Sequence, residues 1–139
     1  MAALERIDGL EEDFKKAKSL FMTTFRNGEE HTRVMTNFNT DPYTDMWFPT
    51  ETQTRKVKDI ESNPKIILTF PCEEYGCFYE IVGEAWMEDP AVVNQKWQWW
   101  WLSWRPSQRR RFWFPKDRED PRRAIINIKP KSVRKLKKA

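Results

Sequence analysis

Residues 50–56, Thr50-Glu51-Thr52-Gln53-Thr54-Arg55-Lys56, place several hydroxyls and two adjacent cations where a helix can begin. The first N–H groups of a helix have no intrahelical partners and carry partial positive charge, so an anion fits there. Arginine adds a bidentate fork for a phosphate, and lysine adds a point charge. Arg33, on a strand expected nearby, can supply a third cation. Read locally, Arg55 and Lys56 can equally be solvated residues on a surface helix. Both readings stay open at this level.

A second concentration of chemistry lies further along. Val93, Trp97, Trp100, Trp101 and Trp104 recur on one helical face, with Trp99 off it. Such rings can fill a core or an interface, wall a ligand site, or sit at a membrane surface. Arg105, Arg109, Arg110 and Arg111 interleave with Trp104, Phe112 and Trp113. That mixture suits a single-stranded nucleic acid, a polyanionic coenzyme, an acidic partner surface, or plain solvation. Trp97, Trp101, Arg109 and Arg111 are the candidates for substrate contact. His31 reads as an ordinary strand residue near a turn, and Cys72 and Cys77 as structural free thiols at the ends of a loop. Two cysteines and one histidine cannot complete a four-ligand zinc site, so no metal is expected. No Ser/His/Asp or Cys/His pairing stands out, and no catalytic residue is assigned.

The elements that must position these groups follow from periodicity. Asp8 as N-cap with Glu11 predicts a short helix over 9–18, carrying Leu10, Phe14 and Ala17 on one face. Leu20 to Phe25 and Thr32 to Phe38 read as strands joined by the Asn27-Gly28 turn signal. Asp41-Pro42 marks another turn, and Met46 to Thr50 a third strand whose proline sits at its end or on an edge. A helix from about Thr52 to Ser62 stops before Asn63-Pro64. Lys65–Phe70 and Cys77–Met87 follow as strands, Pro90 opens a helix over about 91–104, and Ala124 to Ile128 is the last strand. The order predicts a mixed α/β, mainly β fold: a split barrel of about six antiparallel strands with flanking helices.

Composition narrows the classes. The chain has 139 residues, one domain's worth, with eight tryptophans but only four glycines. The glycines are too scattered for a P-loop or a dinucleotide fingerprint. No apolar run is long enough for a membrane span, and the N-terminus has no signal-peptide pattern, so a cytoplasmic protein is expected. Charge is uneven. Residues 1–104 carry −7 and residues 105–139 carry +11. The lysine-rich end, 129–139, reads as a disordered, solubilising basic tail behind a domain spanning 1–128.

Several of these pieces occur together in one order: Arg33-Val34-Met35, Trp47-Phe48-Pro49-Thr50, Thr54-Arg55-Lys56-Val57, Ile60 through Ile66 with Asn63-Pro64, Leu68-Thr69-Phe70, and Gly83-Glu84-Ala85. The set resembles the FMN-binding split barrels of the pyridoxamine 5′-phosphate oxidase-like superfamily, in particular its general stress protein branch. The resemblance covers about residues 10–130. It implies that Arg33, Arg55 and Lys56 grip the FMN phosphate, with Thr54 adding a hydroxyl. It further implies that Val34, Met35, Phe48, Pro49 and Thr50 line the isoalloxazine ring through backbone and apolar contacts. It also implies a homodimer with a flavin at each interface site, and electron or hydride transfer through the flavin.

The chain departs from the true oxidase in its substrate-binding end. It lacks the C-terminal arginine motif and the upstream R-x-H, its only histidine is His31, and Phe78 or Tyr79 stands where the oxidase has glutamine. Oxidation of pyridoxamine phosphate is therefore not expected. The readings carried forward are an FMN-dependent oxidoreductase, a deazaflavin-dependent reductase on the same fold, a flavin-binding stress or sensor protein without turnover, and a nucleic-acid-binding module that uses the basic C-terminal third.

Overall fold

The computed structural model describes residues 4–52, 54–73, 76–93 and 123–137. The elements run in the order α1 (Leu10–Lys16), β1 (Ser19–Arg26), β2 (Glu29–Thr36), β3 (Met46–Glu51), α2 (Arg55–Ser62), β4 (Lys65–Pro71), β5 (Cys77–Met87) and β6 (Arg123–Lys137). The six strands form one antiparallel sheet in the order β2-β1-β4-β5-β6-β3, curled into a half-barrel. The split-barrel expectation holds. β3, β4 and β5 bury alternate residues, and the inner face of the sheet collects Leu20, Met22, Phe48, Ile66, Leu68, Tyr79, Ile81, Ile126 and Ile128 into one core. Leu10 and Phe14 of α1 complete it, with the Phe14 ring edge-on to Phe70 at 5.3 Å.

Local chemistry explains the turns. Asn27 and Gly28 both have positive φ, 54° and 78°, as a two-residue hairpin with the sheet's twist requires. Asn37 donates to the carbonyl oxygens of Phe14 and Ala17, tying the end of α1 to the loop after β2. Asn39 then takes both backbone groups of Trp47: its Nδ2 donates to the carbonyl and its Oδ1 accepts from the amide. Trp47 therefore turns its hydrogen-bonding groups away from β6, and Pro49, two residues on, faces the same outer edge. Its missing N–H costs no ladder bond, as expected of an edge-strand proline.

At Gly83 the register of β5 on β6 shifts, and a Cβ would meet Ile128 Cγ2 at 2.8 Å and the Lys129 carbonyl oxygen at 3.0 Å. Only glycine lets the strands approach so closely there.

Three expectations need correction. Helix α1 is capped by Gly9 in a left-handed conformation, not by Asp8, and no side chain caps it. Asp13 instead accepts from the Tyr79 hydroxyl at 2.8 Å, so the acidic first turn serves the core rather than a capping box. The basic C-terminal tail expected at 129–139 is strand through Lys137, paired along β5. Its few apolar residues hid it: Val133 packs on the core, while Arg134 and Lys131 pair with Glu80 and Glu84 of β5. Cys72 and Cys77 are not free thiols but are joined as a disulfide, 5.4 Å apart at Cα, because the β4–β5 hairpin sets them opposite each other.

After β5, Asp89 accepts the Ala91 amide and a helical turn runs over 90–93, with Val93 buried against Ile125. The tryptophan-rich stretch, with Trp97 and Trp101, and the cluster with Arg109 and Arg111 lie outside the described residues.

Candidate functional site

Helix α2 lies against β1 and β5, with Val57, Asp59 and Ile60 as its buried face. That orientation brings Asp59 against Thr24 and His31 on the inner side of the β1–β2 hairpin, with Arg55 and Lys56 in the preceding turn of the helix. Arg33 reaches the same place from β2. It sits opposite Met22 in the register, so it projects from the inner face rather than the outer one. Its guanidinium donates through Nη1 to Thr24 Oγ1 at 3.0 Å.

Electrostatics links the three cations. The pKa of Arg33 is lowered, first by burial, against the pull of Asp59, and further by Arg55. The pKa of Lys56 is lowered by burial and then by Arg33, with Glu51 opposing. Residues far apart in sequence thus converge as a like-charged group within mutual reach. Thr54 occupies the N-cap position of α2, but its side chain does not cap: its hydroxyl donates to the Glu51 carbonyl at 3.0 Å. A helix start with cations beside it and no carboxylate in its first turn is chemically suited to an oxyanion such as a phosphate monoester.

The remaining predicted residues divide by face. Met35 is half-buried and packs on the core on the same side of β2 as Arg33. Val34 points the other way and is 61% exposed, paired across the hairpin with the exposed Phe21. Phe48 is wholly buried and Thr50 nearly so. The side chain of Phe48 is therefore closed to a ligand and its backbone groups face β6, whereas Pro49 is half-exposed on the outer edge of β3. β2 and β3 are the two outer strands of the sheet, so Arg33–Met35 and Phe48–Thr50 lie on its two rims.

Beneath the cations sits a group that sequence reasoning missed. Asp59 has no exposed surface. Its Oδ2 accepts from Thr24 Oγ1 at 2.7 Å and lies 2.7 Å from His31 Nδ1. Arg26 Nε is 3.4 Å from Oδ1, and Arg33 Nη2 is 3.9 Å from Oδ2. Burial pushes the Asp59 pKa up, but the hydrogen bonds from Thr24 and His31 and the charges of His31 and Arg26 outweigh it, so the carboxyl is held below its ordinary value. An ionised carboxylate only accepts hydrogen bonds, so His31 carries its proton on Nδ1. Only part of the signal was present in the sequence, as polar side chains on core-facing positions. Thr24 and Arg26 alternate on β1, His31 and Arg33 alternate on β2, and Asp59 follows Lys56 by three residues, all on faces where apolar residues would otherwise stand.

Comparison with known proteins gives the family of the chain. A sequence model described as "Pyridoxamine 5'-phosphate oxidase like" matches residues 5–135. The general stress protein 26 of Bacillus subtilis (strain 168) is 34% identical over 125 residues, covering 88% of this chain and 80% of that protein. Among solved structures, a pyridoxamine 5′-phosphate oxidase-related, FMN-binding protein from Nostoc punctiforme aligns with a TM-score of 0.65 at 18% identity, covering 87% of this chain and 75% of that one. An F420 reductase aligns at 0.63 and 17% identity, over 93% of this chain and 98% of that one. At these identities the two structures speak for the shared fold alone.

Proposed function

Since the chain belongs to the pyridoxamine 5′-phosphate oxidase-like family, we propose that it binds FMN, with the phosphate held at the start of α2 by Arg33, Arg55 and Lys56. The observation that carries this reading is the convergence of those three cations on a helix start that no side chain caps. Thr54, whose hydroxyl is now turned to Glu51, is a further donor once it rotates. The rims formed by Val34 and Met35 on β2 and by Phe48, Pro49 and Thr50 on β3 are the places for the flavin ring, with Pro49 as the exposed contact on β3. The bound flavin supplies the redox chemistry; the residues named here bind, orient and exclude water.

We read the activity as flavin-dependent oxidoreduction with a substrate other than pyridoxamine phosphate. The fold is shared by an F420 reductase, so a deazaflavin coenzyme is the second reading. The protein is proposed to work as a homodimer. Phe21 and Val34 form an exposed apolar pair, at 49% and 61% exposure, on the outer sheet face, and a second copy would cover it.

Titration of the purified protein with FMN and with F420, followed by flavin fluorescence, tests the cofactor. Saturable quenching by FMN supports the main reading. Binding of F420 in its place favours the second, and no binding of either contradicts both. Reduction of the bound flavin by NAD(P)H distinguishes turnover from simple binding.

A further inference from the structure

Three cations gathered at one site repel each other, and a free arginine side chain samples many rotamers. Something must hold Arg33 in place before a ligand arrives. The hydroxyl of Thr24 has one proton, and that proton is committed to Asp59 Oδ2 at 2.7 Å. Its lone pairs are left facing Arg33 Nη1, which donates to it at 3.0 Å. The direction of this relay is fixed because a carboxylate only accepts and a guanidinium only donates. His31 shares Oδ2 with Thr24 and Arg26 lies beside Oδ1, so Asp59 is held from both sides of its carboxylate.

We propose that Asp59, acting through the Thr24 hydroxyl, is a positioning residue that pre-orients the Arg33 guanidinium beside Arg55 and Lys56 for phosphate binding. The proposal rests on reading that cluster as the phosphate site, and it goes beyond that reading by assigning a role to groups that touch no ligand. Pre-orientation removes an ordering cost from binding, which raises affinity without a new contact. The buried negative charge alone acts in the opposite sense, since it weakens the pull of the cluster on an anion. Orientation and charge therefore predict opposite signs.

The test compares FMN with riboflavin, which lacks the phosphate, in wild type, Thr24→Val, Thr24→Ser and Asp59→Asn. Thr24→Val keeps the shape and β-branching of the side chain and removes only the relay. The expected result is a loss of about tenfold in FMN affinity in Thr24→Val and Asp59→Asn, with riboflavin affinity unchanged and Thr24→Ser close to wild type. An FMN-to-riboflavin ratio that stays at the wild-type value in Thr24→Val, or a tighter grip on FMN in Asp59→Asn, overturns the proposal. If the wild type fails to prefer FMN to riboflavin, the phosphate-site reading itself fails. The positioning is then decided by the Arg33 guanidinium NMR signal. Slow rotation in wild type and Thr24→Ser that is lost in Thr24→Val supports it, and equal rotation in all three overturns it.

Discussion

Asp59 shows how one residue can set both stability and the electrostatics of a site. Its pKa is depressed in the folded protein, so the unfolded chain binds more protons as pH falls into the ordinary carboxylate range, about 4. Its contribution to stability is therefore fully present above that range and is lost as pH drops through the lower folded value. Asp59→Asn is expected to be less stable than wild type at neutral pH, by about 1–3 kcal/mol, because charge-assisted bonds from Thr24 and His31 are weakened. The gap should narrow on acidification below pH 4. Urea denaturation at neutral and at acid pH measures it, and a gap that widens on acidification contradicts the assignment. The individual cations were legible in the sequence because residue types carry their own chemistry. The carboxylate beneath them was not, because Asp59 lies on α2 and its partners on β1 and β2, and no local pattern encodes how those three elements are placed.

At the scale of elements, alternation and turn chemistry made most strands readable. Cys77–Met87 has the bounds that its pattern predicts, and the Asn27-Gly28 hairpin forms as its residues demand. The end of β6 was unreadable because Lys131 and Arg134 find acidic partners on β5 in place of apolar burial, so the strand shows little hydrophobic periodicity. Removing residues 129–139 should therefore cost more than about 2 kcal/mol, since Val133 and the β5 pairing go with it. A disordered tail could be deleted with no change in thermal unfolding, and that result would contradict the strand. Gly83→Ala tests the other tight point of the same pair. The added Cβ meets a side chain at 2.8 Å and a carbonyl at 3.0 Å, so a loss of about 1–3 kcal/mol in urea denaturation is expected.

The whole molecule is an antiparallel sheet whose two outer strands, β2 and β3, carry the predicted flavin contacts, while α2 brings cations toward β2. No helix among the described residues is long and apolar enough to cross a membrane. The fold class was legible as a whole because element order and short connections leave few antiparallel arrangements open. The assembly was not legible from periodicity, since an exposed apolar pair reveals itself only when the register sets Phe21 beside Val34. Val34→Asp places a charge on that face, and for the proposed homodimer sedimentation is expected to find one copy of the variant and two of the wild type. A mass that is the same for both contradicts the proposed interface.

The central claim is that a phosphate is held at the start of α2, and the double variant Arg55→Ala/Lys56→Ala tests it most directly. Each charge-assisted bond to a phosphate is worth about 1.5–3 kcal/mol, so FMN affinity should fall at least a hundredfold, to order of magnitude. Riboflavin affinity, measured in the same fluorescence titration, should not move. Unchanged FMN affinity in the double variant would mean that the phosphate is bound elsewhere or not at all.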